Sequence, residues 1–429
     1  MKFDTGLLGS HFILEKGISY KGDELVESCE VGLVTLDSFR PGGGYKTGSE
    51  KPFDGGFKPS FVLAPGDVVI ATTDVTQDGA VLCAPALIPN YEDSFSELVW
   101  SLDVAKLLPT TGDVRPEYLY NFLRIPLNRK RAAYGDTGTT VRRIPFDAMY
   151  EQVIPIPSIE EQDRINSFIA TLDRKIELNT AMATTLERIA QSLFRSWFVD
   201  FDPVKAKMAG EKPVGMDDAT AALFPDSLET VNSELVPKNW RMRKLYETAQ
   251  VSYGAPFASK LFNEEKKGLP LIRIRDLKNQ SIATWTTEVH KKGFLTRPGD
   301  LLIGMDGEFN PTLWFGEDSW VNQRICRIEG QKSFSTMFLY FSLIPIMRQI
   351  EHGSTGSTVI HLGKSDLDLI EVLVPGDELL FKFEALTEPI LNALGNLATE
   401  TRQLANIRSS LLPRLVAGDL RMPEESSVS

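Results

Sequence analysis

Three kinds of residue or motif are scarce in this chain of 429 residues, and each scarcity closes off a class of function. Histidine occurs only at His11, His290, His352 and His361, with no two at metal-ligand spacing, so no metal site is expected. Cysteine occurs only at Cys29, Cys83 and Cys326, far apart and without a Cys-x-x-Cys pair. That excludes a disulfide framework and a zinc knuckle, and it predicts reduced, buried thiols. Prolines never stand side by side, which removes the Asn-Pro-Pro or Asp-Pro-Pro tetrad by which amino-methyltransferases hold a flipped base. No GxGxxG precedes a helix, and the P-loop-like LGKS at 362–365 has Thr358 where the first glycine of that motif belongs. Carboxylates are plentiful, yet context singles out no acid/base pair. No run approaches the roughly 18 apolar residues of a membrane span. The start, MKFDTGLLGSHFILEKG, lacks the basic and apolar regions of a signal peptide, so a cytoplasmic chain is expected.

What is present is a globular composition, 42% hydrophobic and 24% charged, at a length that favours two or more domains. The net charge of −12 argues against a uniformly basic surface for nucleic acid, but local runs concentrate positive charge: NRKR at 128–131, RMRK at 241–244 and RIRDLK at 273–278. Each run taken alone also fits an ordinary solvated cluster.

The chain is written twice. SIEEQDRINSFIATLDRKIELNTAMATTLERIAQSLFRSWFVDF, from 158, aligns without gaps on GDELLFKFEALTEPILNALGNLATETRQLANIRSSLLPRLVAGDLR, from 376. Ile165 falls on Phe383, Leu172 on Ile390, Ile176 on Leu394, Leu186 on Leu404, Ile189 on Ile407 and Leu193 on Leu411, always 218 positions apart (383 − 165 = 218). The same offset carries GDTGTTVRRI (135–144) onto GSTGSTVIHL (353–362) and IPIP (154–157) onto VLVP (372–375). APGDVVI (64–70) falls on RPGDLLI (297–303) at an offset of 233, as expected where loop lengths differ. A variable globular unit followed by a long helix is thus repeated in tandem.

In the first helix Ile165, Ile169, Leu172, Ile176, Asn179, Ala183, Leu186, Ala190 and Leu193 alternate steps of four and three, a coiled-coil seam. Ile390, Leu394, Leu404 and Leu411 continue it in the second helix, and the two helices are expected to pack antiparallel. Asn179 interrupts the apolar row opposite in repeat to Leu397, so an unsymmetrical Asn-against-Leu layer is expected. Pro389 is expected to kink the second helix or to end its first turn. In the globular parts, FVLAPGDVVIATT, VLCAPALIP and LIRIRDL read as strands, whereas DVRPEYLYNFLRIPLNRKRAA and SFSTMFLYFSLIPIMRQIEHG read as helices. The expected class is α+β: two similar domains in tandem, separated by two long antiparallel helices. The boundaries are 1–157 for the first domain, 158–202 for its helix, 203–237 for a connector with at most one short helix, 238–375 for the second domain, 376–421 for its helix and 422–429 for a tail.

With catalytic motifs missing, binding loops remain. GDTGTTVRR and GSTGSTVIH expose backbone N–H groups and small hydroxyls suited to phosphate contacts. Thr139, Thr140, Arg142 and Arg143 in one loop face Ser357, Thr358, His361 and Lys364 in or beside the other. The side chains differ while the backbone pattern is kept, as expected if shared backbone contacts are retained and base readout is varied. Tyr45, Lys46 and Lys51 on a Gly-rich loop, Lys260 in ASKLFNEEKK, and Arg273 and Arg275 complete the DNA-binding candidates. Each also admits a purely structural turn or flexible surface loop.

Over nearly its whole length the sequence resembles the specificity subunits of type I restriction-modification systems. The most specific stretches are EEQDRINSFIATLDRKIELN, SLFRSWFVDFDPVKAK, LFPDSLE followed by VPKNW, and SLLPRLVAGDLR. The PGD turns and the GSTGST loop ahead of VLVP look like those of its target-recognition domains. The PKNW stretch before the second domain has no counterpart in the first. The resemblance implies that each domain reads half of a split DNA site and that the paired helices form a spacer. It further implies a chain without catalysis or bound cofactor: two modification subunits supply S-adenosylmethionine and methylate adenine, and two restriction subunits add ATP- and Mg2+-dependent translocation and cleavage. A non-enzymatic coiled-coil scaffold bridging two domains that bind ligands unrelated to DNA is the alternative, and a hydrolase with an unrecognised site is a third.

Overall fold

The computed structural model describes residues 3–75, 79–91, 94–138, 141–231, 233–353 and 361–423. The chain divides into two compact units, one of residues 1–175 with 404–429 and the other of residues 176–403. Each long helix therefore contributes one part to each unit.

In the first unit an antiparallel sheet runs in the order Phe12–Lys16, Val104–Pro109, Val68–Ala71, Pro85–Leu87. In the second the order is Ala249–Tyr253, Ile325–Gly330, Asp300–Gly304, Thr312–Trp314. The duplication holds to single-residue register. Leu14 opposite Leu107 becomes Val251 opposite Ile328, and Val69 opposite Lys106 becomes Leu302 opposite Arg327. A one-residue slip would turn every side chain to the other face, so matched registers mean matched cores. A second, smaller sheet in each unit contains one parallel pair: Val31–Val34 beside Glu97–Trp100, and Leu269–Ile272 beside Trp320–Val321. The last strand before each long helix, Val153–Ile156 or Glu371–Val374, pairs antiparallel with the first strand of its own domain, Asp4–Leu7 or Arg241–Lys244. Although PKNW has no counterpart, the strand it leads into does.

The PGD motifs do more than turn the chain. Asp67 accepts the N–H of Ala64 (2.7 Å) and pairs with Lys106 on the neighbouring strand (2.5 Å). Its counterpart Asp300 accepts the N–H of Arg297 (2.9 Å) and pairs with Arg327 (3.4 Å). Burial raises the Asp300 carboxyl above its usual range despite Arg327. Lys106 lies over the Trp100 ring and Arg327 over the Phe294 ring, so both cations are also stacked on aromatics.

The long helices are Ile159–Phe198 and Asp377–Ala417. Every seam position of the first is buried or half-buried, while most side chains between them are exposed. In the first unit Asp173 meets Arg408 and the Met422 N–H reaches Glu161 (3.4 Å). In the second unit Asn179 meets Glu400 (2.8 Å) and Phe194 meets Phe383 (6.0 Å between ring centres). Residue numbers rise on one helix as they fall on the other, so the pairing is antiparallel, as expected.

Each joint of helices to domain is built from repeat-equivalent positions. Ile165, Leu412, Leu415 and Val416 share the apolar core of the first unit with Tyr118 and Phe122. Phe383, Phe194, Trp197 and Phe198 share that of the second with Phe338. The SLFRSWF stretch is thus the aromatic anchor of one joint, and LLPRLV is the aliphatic anchor of the other.

Five expectations are corrected. Pro389 does not end the first turn of the second helix, which runs on to Ala417 with buried Phe383 and Leu394 on either side of the proline. Asn179, fully buried, does not merely face Leu397: its amide donates to the Glu400 carboxylate. The 203–237 stretch holds two short helices, Asp202–Met208 and Asp218–Ala222, and the hairpin of Leu228–Val231 with Glu234–Pro237. LIRIRDL is a strand only to Ile272; Asp276 accepts the Arg273 N–H and starts the helical turn Ile274–Leu277. Cys83 and Cys326 are buried, and burial pushes both thiols up to about 12, but Cys29 is only half-buried.

Candidate nucleic-acid interface

In the first unit three loops converge. Thr137 and Arg143 exchange backbone hydrogen bonds (3.0 and 2.9 Å), closing a loop in which Gly138 has φ +104°. A Cβ there would lie 2.1 Å from the Val141 carbonyl oxygen, so this glycine is sterically required. Arg142 and Arg143 then pair as a short strand with Asp74 and Thr73. Buried Asp74 accepts the N–H groups of Val81 (2.7 Å) and Leu82 (3.0 Å) and folds the 79–82 turn onto this strand. Ala80 accepts the Gly42 N–H (3.1 Å), and Arg129 donates to the Gly42 carbonyl (2.8 Å), which draws in the loop ahead of Tyr45.

The two arginines have different surroundings. Arg142 pairs with Asp136 (2.5 Å), whose carboxyl its hydrogen bond holds below the usual range, and its guanidinium occupies the space a side chain at Gly79 would need. It is a clamp between segments. Arg143 is exposed and has no side-chain partner among the described residues.

In the second unit a single antiparallel bridge stands at the equivalent place. The 218 offset carries Arg143 to His361, and the 233 offset carries Thr73 to Asp306; Thr73 pairs with Arg143, and Asp306 bridges His361. The His361 ring nitrogen Nδ1 lies 2.6 Å from the Asp306 carboxylate, whose other oxygen is 3.4 Å from Arg324 Nε. Lys364 is exposed at the start of helix Lys364–Leu369, where Asp366 accepts the Gly363 N–H (2.8 Å). The chain's own carboxylate thus takes one of the N–H groups that LGKS would offer a phosphate.

The other candidates are scattered. Tyr45 is a core residue, 9% exposed, with its hydroxyl donated to Glu50 (2.8 Å); burial raises its pKa, and it cannot present its ring to a ligand as expected. Lys51 is tied to Asp37 (2.9 Å), whereas Lys46 and Lys260 are exposed. Arg273 caps the 274–277 turn by its backbone. Arg275 is exposed, 3.9 Å from Asp276, and with Lys278 lines a cavity of about 790 Å³ in the second unit. Thr139, Thr140, Ser357 and Thr358 lie outside the described residues. Sequence reasoning missed Arg324 and the PGD-paired Lys106 and Arg327, and it named Arg129 only within the basic run NRKR. Aligning the PGD repeats as far as the neighbouring strand would have found Lys106 and Arg327. Among the described residues no group of three or more His, Cys, Asp or Glu is placed to hold a metal, and no helix is long and apolar enough to cross a membrane.

The comparisons agree with this geometry. The model of the type I restriction modification DNA specificity domain matches twice, over residues 56–188 and 237–379. The HindI type I restriction enzyme specificity subunit of Haemophilus influenzae is 30% identical over 369 residues, covering 73% of this chain and 79% of that protein. The MjaIX specificity subunit of Methanocaldococcus jannaschii is 25% identical over 328 residues, covering 74% and 72%. In fold, the chain is similar to the crystal structure of a type I restriction-modification S subunit from M. genitalium, with a TM-score of 0.54, 16% identity and coverage of 98% and 97%. A DNA specificity domain in each half removes the scaffold reading with ligands unrelated to DNA. The chain belongs to the family of type I restriction-modification DNA specificity subunits, with one specificity domain in each repeat.

Proposed function

We propose that this chain is a non-catalytic subunit that recognises a bipartite DNA target, one half-site per domain, and directs adenine methylation and DNA cleavage by partner subunits. The observation that carries this reading is the repeat-equivalent antiparallel pairing, a short strand pair in one domain and a single bridge in the other. The same backbone frame presents Arg143 beside Thr73 in one domain and His361 beside Asp306 in the other. A shared frame suits backbone contacts that position each domain on DNA, and the differing side chains suit different base edges. Exposed Lys46, Lys260, Arg275 and Lys364 are assigned to phosphates, Arg143 and His361 to base edges, and Arg142 to holding its loop in place. Lys51 acts only on leaving Asp37, and Tyr45, Arg273, Thr139, Thr140, Ser357 and Thr358 contribute through their loops. The domains run from 1 to 157 and from 238 to 375. Two modification subunits carrying S-adenosylmethionine and two restriction subunits using ATP and Mg2+ complete the cytoplasmic complex. This chain itself binds no cofactor.

The antiparallel helices set the distance between half-sites. Inserting one heptad in each helix at level positions, after Ile176 and between Gln403 and Leu404, keeps the seam in register. It adds roughly 10 Å at 1.5 Å per residue, or about three base pairs. The second half-site then also turns by roughly 100° around the duplex. The test is selection, by the chain assembled with its modification subunits, from duplexes carrying both half-sites and a randomised spacer. The expected result is loss of binding to the native spacer, with or without gain of another length. Undiminished binding to the native spacer refutes the spacer role.

A further inference from the structure

We infer that two polar contacts between the long helices, Asp173 with Arg408 and Asn179 with Glu400, are positioning elements that set helix register and thereby narrow the range of half-site spacings accepted. The inference rests on the spacer reading above. An apolar seam with heptad spacing does not fix its own register, because a slip of seven residues again sets apolar positions against apolar positions. Here the apolar contribution is thinnest mid-helix. Between Ile169 and Ala190 the first helix has Leu172, Ile176, Ala183 and Leu186 only half-buried, and its fully buried seam residue is Asn179.

Packing alone does not demand polar residues at these places, as the repeat itself demonstrates. The 218 offset carries Asp173 to Leu391, Arg408 to Ala190, Asn179 to Leu397 and Glu400 to Met182, and all four equivalents are apolar. Ala190 lies in the apolar core of the second unit and Leu391 packs against that core. Apolar replacement of a buried ionic group is often neutral or stabilising, so the value of such a group lies in what it forbids.

A slip of seven residues would set Asp173 across from Thr401 or Leu415, and Arg408 across from Asn166 or Thr180. Asn179 would face Ala393 or Ile407, and Glu400 would face Leu172 or Leu186. In neither slipped register is the residue directly across a charge partner. Asp173 keeps its bidentate contact with Arg124 (2.6 and 3.0 Å) in any register, since that arginine belongs to the domain helix packed on the first long helix. The register is read by Arg408, which reaches the same carboxylate from the second helix.

The test leaves Arg124 and Asp173 paired and gives three residues their repeat equivalents: Arg408→Ala, Asn179→Leu and Glu400→Met in the full chain, assembled with modification subunits. Selection from a duplex library of randomised spacer length is expected to give a sharp optimum for the natural chain. The variant should accept neighbouring lengths at least ten-fold more readily relative to the native one. Asn179→Leu with Glu400→Met alone should give a smaller broadening, and it serves if the triple variant does not assemble. A purely structural role would weaken all spacers alike, so an optimum as sharp as the natural chain's overturns the inference and leaves the spacer reading intact. If the natural chain itself shows no spacer preference, the spacer reading falls and this inference with it.

Discussion

The two units differ least where their sheets pair and most where their surfaces offer side chains. Asp67 with Lys106 and Asp300 with Arg327 are the same device in different residues. At the antiparallel pairing the frame is again shared, but an exposed arginine in one unit is replaced by a histidine held by aspartate in the other. The joints differ in a third way, aliphatic in the first unit and aromatic in the second. Duplicated backbone is constrained by register and burial, whereas exposed positions are free to diverge. Divergence among the loop side chains is what a protein needs to read two different half-sites.

The joints give the largest expected effects. Phe383→Ala should cost the second unit about 4 kcal/mol, and its repeat equivalent Ile165→Ala should cost the first about 3 kcal/mol, by lost burial and the cavities left behind. Urea-dependent hydrogen exchange on peptides from each unit measures both, and equal losses spread over both units would erase the distinction between two separate joints.

Next is Asp173, whose repeat equivalent is uncharged Leu391. Burial pushes its carboxyl up, but Arg124 and Arg408 together outweigh that and hold it below the usual range. A carboxyl depressed in the folded state adds stability that is complete above the unfolded value, about 3.9, and is lost as pH falls through the lower folded value. Asp173→Asn should therefore remove about 2 kcal/mol from the first unit at neutral pH and flatten its loss of stability below about pH 4. An acid limb as steep in the variant as in the natural chain would assign the effect to other carboxylates.

The smallest effects belong to the reading positions. Arg143→Ala should cost about 1–3 kcal/mol and relax one half-site, and His361→Ala should act on the other alone. Binding to duplexes with one half-site scrambled at a time separates them. If either change weakens both half-sites equally, these residues clamp the backbone and do not read bases.

Periodicity alone determined the seam of the first long helix, and internal alignment alone determined the duplication. Both rest on local rules: steps of three and four turn one face of a helix inward, and repeated sequence in a repeated context folds alike. The resemblance drawn from EEQDRIN and SLFRSWF added the function, because these stretches mark the family even though their own side chains are joints. Only tertiary structure decided that Arg142 clamps while Arg143 is exposed, since neighbouring strand residues face opposite ways and the choice of face depends on Asp136 and Gly79. It also decided that Tyr45 is core, that Asn179 donates to Glu400, and that Asp173 is shared by arginines from two distant segments. Pairing across 221 or 235 positions leaves no periodic trace in a sequence. Desolvation and charge partners are set by what packs nearby, and that is known only once the chain has folded.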